Sequence, residues 1–260
     1  MLKNTLKSIS PLDGRYATKL SELENHFSEF ALIKSRVLVE IKWLIFMSKS
    51  KGIKFVPPLQ KNKENALNKL VEDFSLQDAE KIKKIEAKTN HDVKAVELFI
   101  GKKLDELKLS SYKEFVHLFC TSEDINNLSY NLMLKGYLEN EFKEINSFLL
   151  KDLKSKSKKW AKLSMMSFTH GQSASPTTLG KEIANFHERI KFHLNILSPI
   201  KPSGKFNGAV GNYNAHFIAS EKINWQLISE KFVKSLGLSW SKYSTQIELK
   251  DEMVTIISTI

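Results

Sequence analysis

From Ile125 to Leu163 the residues Ile125, Leu128, Leu132, Leu138, Phe142, Ile145, Leu149, Leu153, Trp160 and Leu163 keep one helical face, with no proline between them. A stripe of about forty residues far exceeds the ordinary helix of ~12. One helix cannot bury such a stripe by itself, so partner helices must cover it, as in a long-helix bundle. At 1.5 Å per residue a straight helix of that length spans ~60 Å, which sets whatever precedes it far from whatever follows it.

The rest of the chain reads as shorter helices. Phe27, Phe30, Ala31, Val37, Leu38, Ile41, Leu44 and Ile45 predict one amphipathic helix from about Glu24 to Ser48, ended by Gly52 and Pro57-Pro58. Ser75-Leu76-Gln77-Asp78 resembles a capping box and opens a helix through Ile82 and Ile85 that should stop near Thr89-Asn90-His91. Asp92 then begins another helix, marked by Val93, Val96, Ile100, Leu104 and Leu107. Leu179, Ile183, Phe186, Ile190, Leu194 and Leu197 form a helix stopped by Pro199 and Pro202, and Asn224 to Leu236 forms one closed by Gly237. Gly204 to Asn214, rich in glycine and asparagine, reads as a loop or short hairpin. The expected fold is all-α: a small helical N-terminal domain over 1–110, then the start of a long-helix bundle over 111–260.

Composition narrows the setting more than the function. No run approaches the ~20 apolar residues of a membrane helix, and Met1-Leu2-Lys3-Asn4 leads into no signal-peptide core, so the cytoplasm is the expected compartment. The single cysteine, Cys120, excludes an internal disulfide, and its apolar neighbours favour a buried small hydrophobe over a nucleophile. A net charge of +11 raises nucleic acid as a partner. Most of the Lys and Arg residues, however, alternate with acids along helices, and only Lys151 to Lys162 is a dense basic run, which on a long helix is a solvated face. The charge suits an anionic small substrate, with no nucleic acid and no membrane as partners.

Three polar segments sit at expected helix ends: Thr121-Ser122-Glu123-Asp124-Ile125-Asn126-Asn127, Ser167 to Pro176 around His170, and Gly204-Lys205-Phe206-Asn207-Gly208-Ala209-Val210-Gly211-Asn212. A lone loop histidine is usually solvated surface; in such company His170 is a candidate for moving a proton near neutral pH. Together these segments resemble the fumarase/aspartase superfamily. With Ser10-Pro11-Leu12-Asp13-Gly14-Arg15-Tyr16, Thr89-Asn90-His91-Asp92-Val93-Lys94-Ala95-Val96-Glu97 and Tyr243-Ser244-Thr245-Gln246-Ile247-Glu248, they resemble its bacterial purine-biosynthesis branch. The matched motifs run from residue 10 to about residue 250.

That resemblance implies elimination of fumarate from a succinylated nitrogen, converting adenylosuccinate to AMP and the related succinylated aminoimidazole carboxamide ribotide to its carboxamide. Neither proton transfer calls for a metal or redox cofactor. His170 is the matched acid, with the base role the alternative for the same imidazole. Arg15 and Tyr16 are implied phosphate binders, and the planar fork of Arg15 suits that task. Asn90, His91 and Asp92 would orient the nucleotide or succinyl group, Thr121 and Ser122 would hold a succinyl carboxylate at a helix start, and Gln246 would hydrogen-bond the substrate. Taken singly, each would pass as a surface turn, a helix cap or a solvated glutamine. The superfamily's homotetramers share sites among three subunits, which fits a long helix separating Ser122 from His170.

Two departures accompany the match. The superfamily's Ser-Ser-x-Met-Pro-x-Lys-x-Asn-Pro loop, with the serine base, is not found in these 260 residues, and Met253 to Ile260 is apolar without a helix stop. The expected reading is an N-terminal portion of the enzyme. Leu249-Lys250-Asp251 also stands where the branch usually has Pro-His-Asp, which removes support for a role at position 250. Other readings are a superfamily lyase acting on argininosuccinate, malate or aspartate, a basic helical binding module, or a structural oligomer without activity. Since the matched acid is present and the matched base is not, the 260 residues alone should release no fumarate from adenylosuccinate. A spectrophotometric assay finding release at an enzyme-like rate would place the base within them.

Overall fold

The computed structural model describes residues 7–260, so Met1 to Asn4 fall outside the described residues. The helices are α1 Glu24–Phe27, α2 Glu29–Lys49, α3 Lys61–Glu72, α4 Leu76–Thr89, α5 Asp92–Glu106, α6 Ser122–Tyr137, α7 Lys143–Lys159, α8 Leu179–Leu197, α9 Asn214–Ala219, α10 Trp225–Ser235 and α11 Asp251–Thr259. Strands β1 Ser164–Thr169 and β2 Gln172–Thr178 pair antiparallel, and the two-residue strands β3 Ser203–Gly204 and β4 Ser239–Trp240 pair in parallel. The chain packs as two units, 1–135 with 202–250, and 136–201 with 251–260. The boundary expected near residue 110 falls inside the first of these.

In the first unit α2 is buried along most of its length because it serves two apolar clusters. Val37, Ile41 and Leu44 pack with Leu67, Ile82, Val96, Ile100 and Leu104. Val39, Trp43 and Met47 pack with Ile125, Leu128, Phe206, Trp225 and Phe232. Trp43 is the centre of the second cluster, with ring centroids 4.5 Å from Phe206 and 4.9 Å from Phe232. The single helix expected from Glu24 to Ser48 is interrupted at Ser28, whose extended backbone and hydroxyl, accepting from the Ala31 N–H, begin α2 anew. The Ser75 capping box forms as expected, its hydroxyl accepting from Asp78 N–H while the Asp78 carboxylate receives the Ser75 N–H.

The long stripe is realised as helical backbone from Ser122 to Lys159, carried through a π-helical turn at Leu138–Phe142. Such turns insert one residue per turn and re-phase the side chains that follow. Beyond α7 the chain forms the β1–β2 hairpin where only a polar turn was expected. In the second unit α7 and α8 meet at Gly180, where a Cβ would lie 2.3 Å from the Ser157 carbonyl oxygen and 2.6 Å from Ala161 Cα. Gly180→Ala should therefore cost about 1–3 kcal/mol by forced separation of the helices. Gly52→Ala, with open space around the added methyl, should stay within about 0.5 kcal/mol. Denaturant unfolding of both variants checks the contrast.

Candidate active site

Three polar side chains on α2, Arg36, Glu40 and Trp43, follow one another at steps of four and three and so lie on one side of the helix. Each holds a different piece of chain. Arg36 pairs through Nη2 with Asp92 Oδ2 at 2.6 Å and donates from Nε to Asn126 Oδ1 at 2.8 Å. Glu40, 1% exposed, accepts from the His117 backbone N–H at 3.1 Å and meets His117 Nδ1 at 2.6 Å. Trp43 Nε1 donates to the Leu118 carbonyl at 3.0 Å. His117 and Phe119 both have positive φ, +58° and +65°, a region costly for side chains with a Cβ. These bonds therefore pin a strained approach to Thr121 and Ser122.

Thr121 and Ser122 open α6, and Asp124 in its first turn ties that opening to the glycine-rich segment. The Asp124 carboxylate is fully buried and accepts from the N–H groups of Thr121 (2.9 Å), Asn207 (3.1 Å) and Gly208 (3.1 Å). Its counter-charge is Lys205 Nζ at 2.8 Å, equally buried, which also donates to the Gly208 carbonyl. Asn127 completes the clasp: its amide donates to the Lys205 carbonyl and its oxygen accepts from the Lys205 N–H. From there Asn207 Nδ2 donates to Ser244 Oγ at 2.8 Å, and buried Glu248 accepts from Ser203 Oγ at 3.0 Å. Gln246, exposed, lies between these two anchors.

Asn90, His91 and Asp92 turn the corner from α4 to α5. Asn90 is the left-handed C-cap at φ +52°, and His91 is the N-cap, its Nδ1 accepting from the Lys94 N–H at 3.2 Å. Asn90 and His91 are exposed and Asp92 is half-buried. Arg36 thus joins this corner to the start of α6, within one unit. Arg15 and Tyr16 are exposed, with the guanidinium 5.6 Å from the Tyr16 ring centroid. Among the described residues no side-chain hydrogen bond or ion pair ties that pair to the other segments.

His170 belongs to the second unit. Thr169 pairs with Gln172, so His170 and Gly171 are the two central residues of a hairpin turn, at φ +52° and +74°. Positive φ at both positions is the geometry whose twist matches a two-residue β-hairpin. The exposed imidazole therefore stands at the tip of a hairpin. Its base is tied down where the Leu179 and Gly180 N–H groups donate to the carbonyls of Leu163 and Trp160.

Arg36, Glu40 and Asp124 escape a reading of the sequence, because a charged residue in a helical pattern defaults to the solvent side; the one signal is their position next to apolar neighbours. Lys205 and Asn207, in the glycine-rich segment after β3, are 0% and 1% exposed and act within the clasp. Lys250 has Nζ 3.7 Å from Glu123 Oε1 and 3.9 Å from Glu248 Oε2, at the same end of α6. Cys120 is half-buried, and burial together with the charges of Glu40 and Asp124 pushes its thiol well up, away from a nucleophile.

Residues 14–260 match the family described as Lyase, and the chain belongs to that family. The chain is 42% identical over 258 residues to adenylosuccinate lyase of Buchnera aphidicola subsp. Schizaphis graminum, covering 99% of this chain and 57% of that protein. It is 43% identical over 258 residues to adenylosuccinate lyase of Escherichia coli K12, again over 99% of this chain and 57% of the relative. The chain thus spans a little over half the length of the curated relatives it matches. Among solved structures, a fumarate lyase from Mesorhizobium sp. BNC1 superposes with TM-score 0.72 at 17% identity, covering 93% of this chain and 53% of that one. The β-carboxy-cis,cis-muconate cycloisomerase of Acinetobacter calcoaceticus gives 0.70 at 19%, over 94% and 55%. The fold is that of these two helical enzymes.

A buried and a half-buried histidine give this region opposite pH responses. His216, 2% exposed and ringed by Phe119, Tyr213 and Trp225, is pushed down to about 4 by burial. Burial would also lower His117, but the Glu40 hydrogen bond and charge outweigh it and raise the group above its ordinary value. The His216 contribution is complete above the ordinary histidine pKa and is lost as pH falls toward 4. The His117 contribution is complete below that ordinary value and is lost as pH rises through the raised one. Unfolding measured between pH 6.5 and 4 should therefore lose on the order of 3 kcal/mol from His216 alone, and His216→Phe should flatten that limb.

Proposed function

We propose that the whole protein is an adenylosuccinate lyase of purine biosynthesis. It would cleave adenylosuccinate to AMP and fumarate, and the succinylated aminoimidazole carboxamide ribotide to its carboxamide and fumarate. The observation that carries this reading is the presentation of His170, exposed at a hairpin tip in a motif shared with the branch, while the Asn90–Asp92 corner, the start of α6 and the 244–248 stretch are held by polar bonds to buried side chains. Identity of 42–43% to adenylosuccinate lyases, against 17–19% to the lyase and cycloisomerase of like fold, favours this substrate over others of the superfamily.

In the elimination a base from outside these 260 residues removes a proton next to a succinyl carboxylate. The freed electron pair forms the double bond of fumarate as the carbon–nitrogen bond breaks. The departing nitrogen takes a proton from the His170 imidazolium, acting as the general acid. Thr121 and Ser122, with the N–H groups at the start of α6, would receive a carboxylate. Asn90, His91, Asp92 and Gln246 would orient the nucleotide, and Arg15 with Tyr16 would hold its phosphate. On this reading 1–110 is the N-terminal helical domain, 111–260 enters the long-helix bundle, and the protein works in the cytoplasm. Among the described residues no helix is long and apolar enough to cross a membrane.

A homotetramer with shared sites belongs to the same proposal. In the second unit only Gly180 and Ile256 are buried, while Phe148, Phe168, Phe186, Phe192 and Ile257 are more than half exposed. Apolar area of that extent calls for cover. Bundles from other copies would supply it and bring the start of one long helix near the hairpin of another. His170→Ala in the whole protein should lower turnover by ~100- to 10,000-fold with the fold retained. Mixing it with Ser122→Ala and reassembling should restore part of the fumarate release. Unchanged turnover would make His170 structural, and no recovery on mixing would count against shared sites.

A further inference from the structure

We propose that Arg36 is a positioning residue that sets the Asn90–Asp92 corner and the opening of α6 at a fixed spacing, so that two substrate-facing segments move as one; this deepens the function proposed above. Arg36 is 6% exposed and reaches both segments from a third element, α2. Its Nη2 bonds Asp92 Oδ2 and its Nε bonds Asn126 Oδ1, so one rigid planar group spans the gap. Lysine carries the same charge but not two donors in a fixed fork. The remaining Asp92 oxygen, Oδ1, accepts from the Val93 N–H at 2.8 Å, and the side chain is still 43% exposed. A ligand can therefore meet Asp92 on its outer side while Arg36 holds the inner one. Burial works against ionisation of Asp92, yet the Val93 N–H and the charges of Arg36 and His91 outweigh it and keep its pKa below the usual value. Arg36 itself has almost no surface to offer a substrate, so any effect it has on the reaction passes through Asp92 and Asn126.

The test uses the whole protein carrying Arg36→Lys, with Asn126→Ala at its half-buried position as a second cut of the same link. Hydrogen exchange should show amides of 90–94 and 121–127 losing protection together in both variants, with the rest of the first unit unchanged. In steady-state assays of fumarate release from adenylosuccinate, Arg36→Lys should raise KM about tenfold with kcat within about threefold, the pattern of lost binding rather than lost chemistry. Adding Asn126→Ala to Arg36→Lys should raise KM no further, because both cut the same link. Exchange that rises evenly across the unit, or does not rise at all, would overturn the proposal by reducing Arg36 to general packing. So would an unchanged KM, or KM effects of Arg36→Lys and Asn126→Ala that multiply. A wild-type protein that binds and cleaves no succinylated purine would sink the proposed function instead, while the exchange result would still judge the coupling.

Discussion

Asp124 and Lys205 face each other at 2.8 Å with no exposed surface on either side chain worth counting. Removing two charges from water costs several kcal/mol per ion, and attraction between them offsets this only where the remaining lone pairs and protons are also satisfied. Here they are: three backbone N–H groups converge on the carboxylate, and Lys205 adds the Gly208 carbonyl. Those donors come from the start of α6 and from the segment after β3. The pair thus converts a desolvation problem into a geometric constraint, since the two segments must sit where they satisfy it. Taking one partner from such a pair costs about 3–5 kcal/mol, which makes the arrangement hard to loosen.

Helix α2 extends the same logic to the rest of the first unit. Its apolar residues serve two clusters, which leaves little of its surface for water, and the polar residues among them must find partners in the protein. Arg36, Glu40 and Trp43 find them in the α4–α5 corner, in His117 and in the Leu118 carbonyl. A buried helix thereby supports the α4–α5 corner and the approach to α6 from behind while exposing almost nothing itself. Asn90, His91 and Gln246 remain exposed on segments whose neighbours are immobilised, an arrangement suited to meeting a ligand without a large ordering cost.

The second unit is built differently. Its hairpin is held by backbone bonds and by the close approach at Gly180, and its helices leave large apolar side chains uncovered. A side chain presented on such a piece, as His170 is, gains its position from what covers the helices. The two units thus differ physically: the first holds two buried apolar clusters, and the second, bearing His170, buries only Gly180 and Ile256.

Local periodicity and capping chemistry determined much from the sequence alone. The extents of α4, α5, α8 and α10, the Ser75 box and the helical class all follow from side-chain spacing and cap preferences that act within a few residues. Membership of the lyase family was legible because the motifs around Asp92, Thr121, Ser122 and His170 match it in residue type and spacing. Tertiary structure alone decided that α2 restarts at Ser28, that the stripe passes through a π turn, and that His170 crowns a hairpin rather than a plain turn. It alone decided that Arg36, Glu40, Asp124 and Lys205 are buried and paired. Apolar neighbours are the one local hint of that, and they do not name the partners: a charge goes inside only when a partner from a distant segment meets it there. Asp124 and Lys205 stand 81 positions apart in the chain, and only folding brings them within a hydrogen bond.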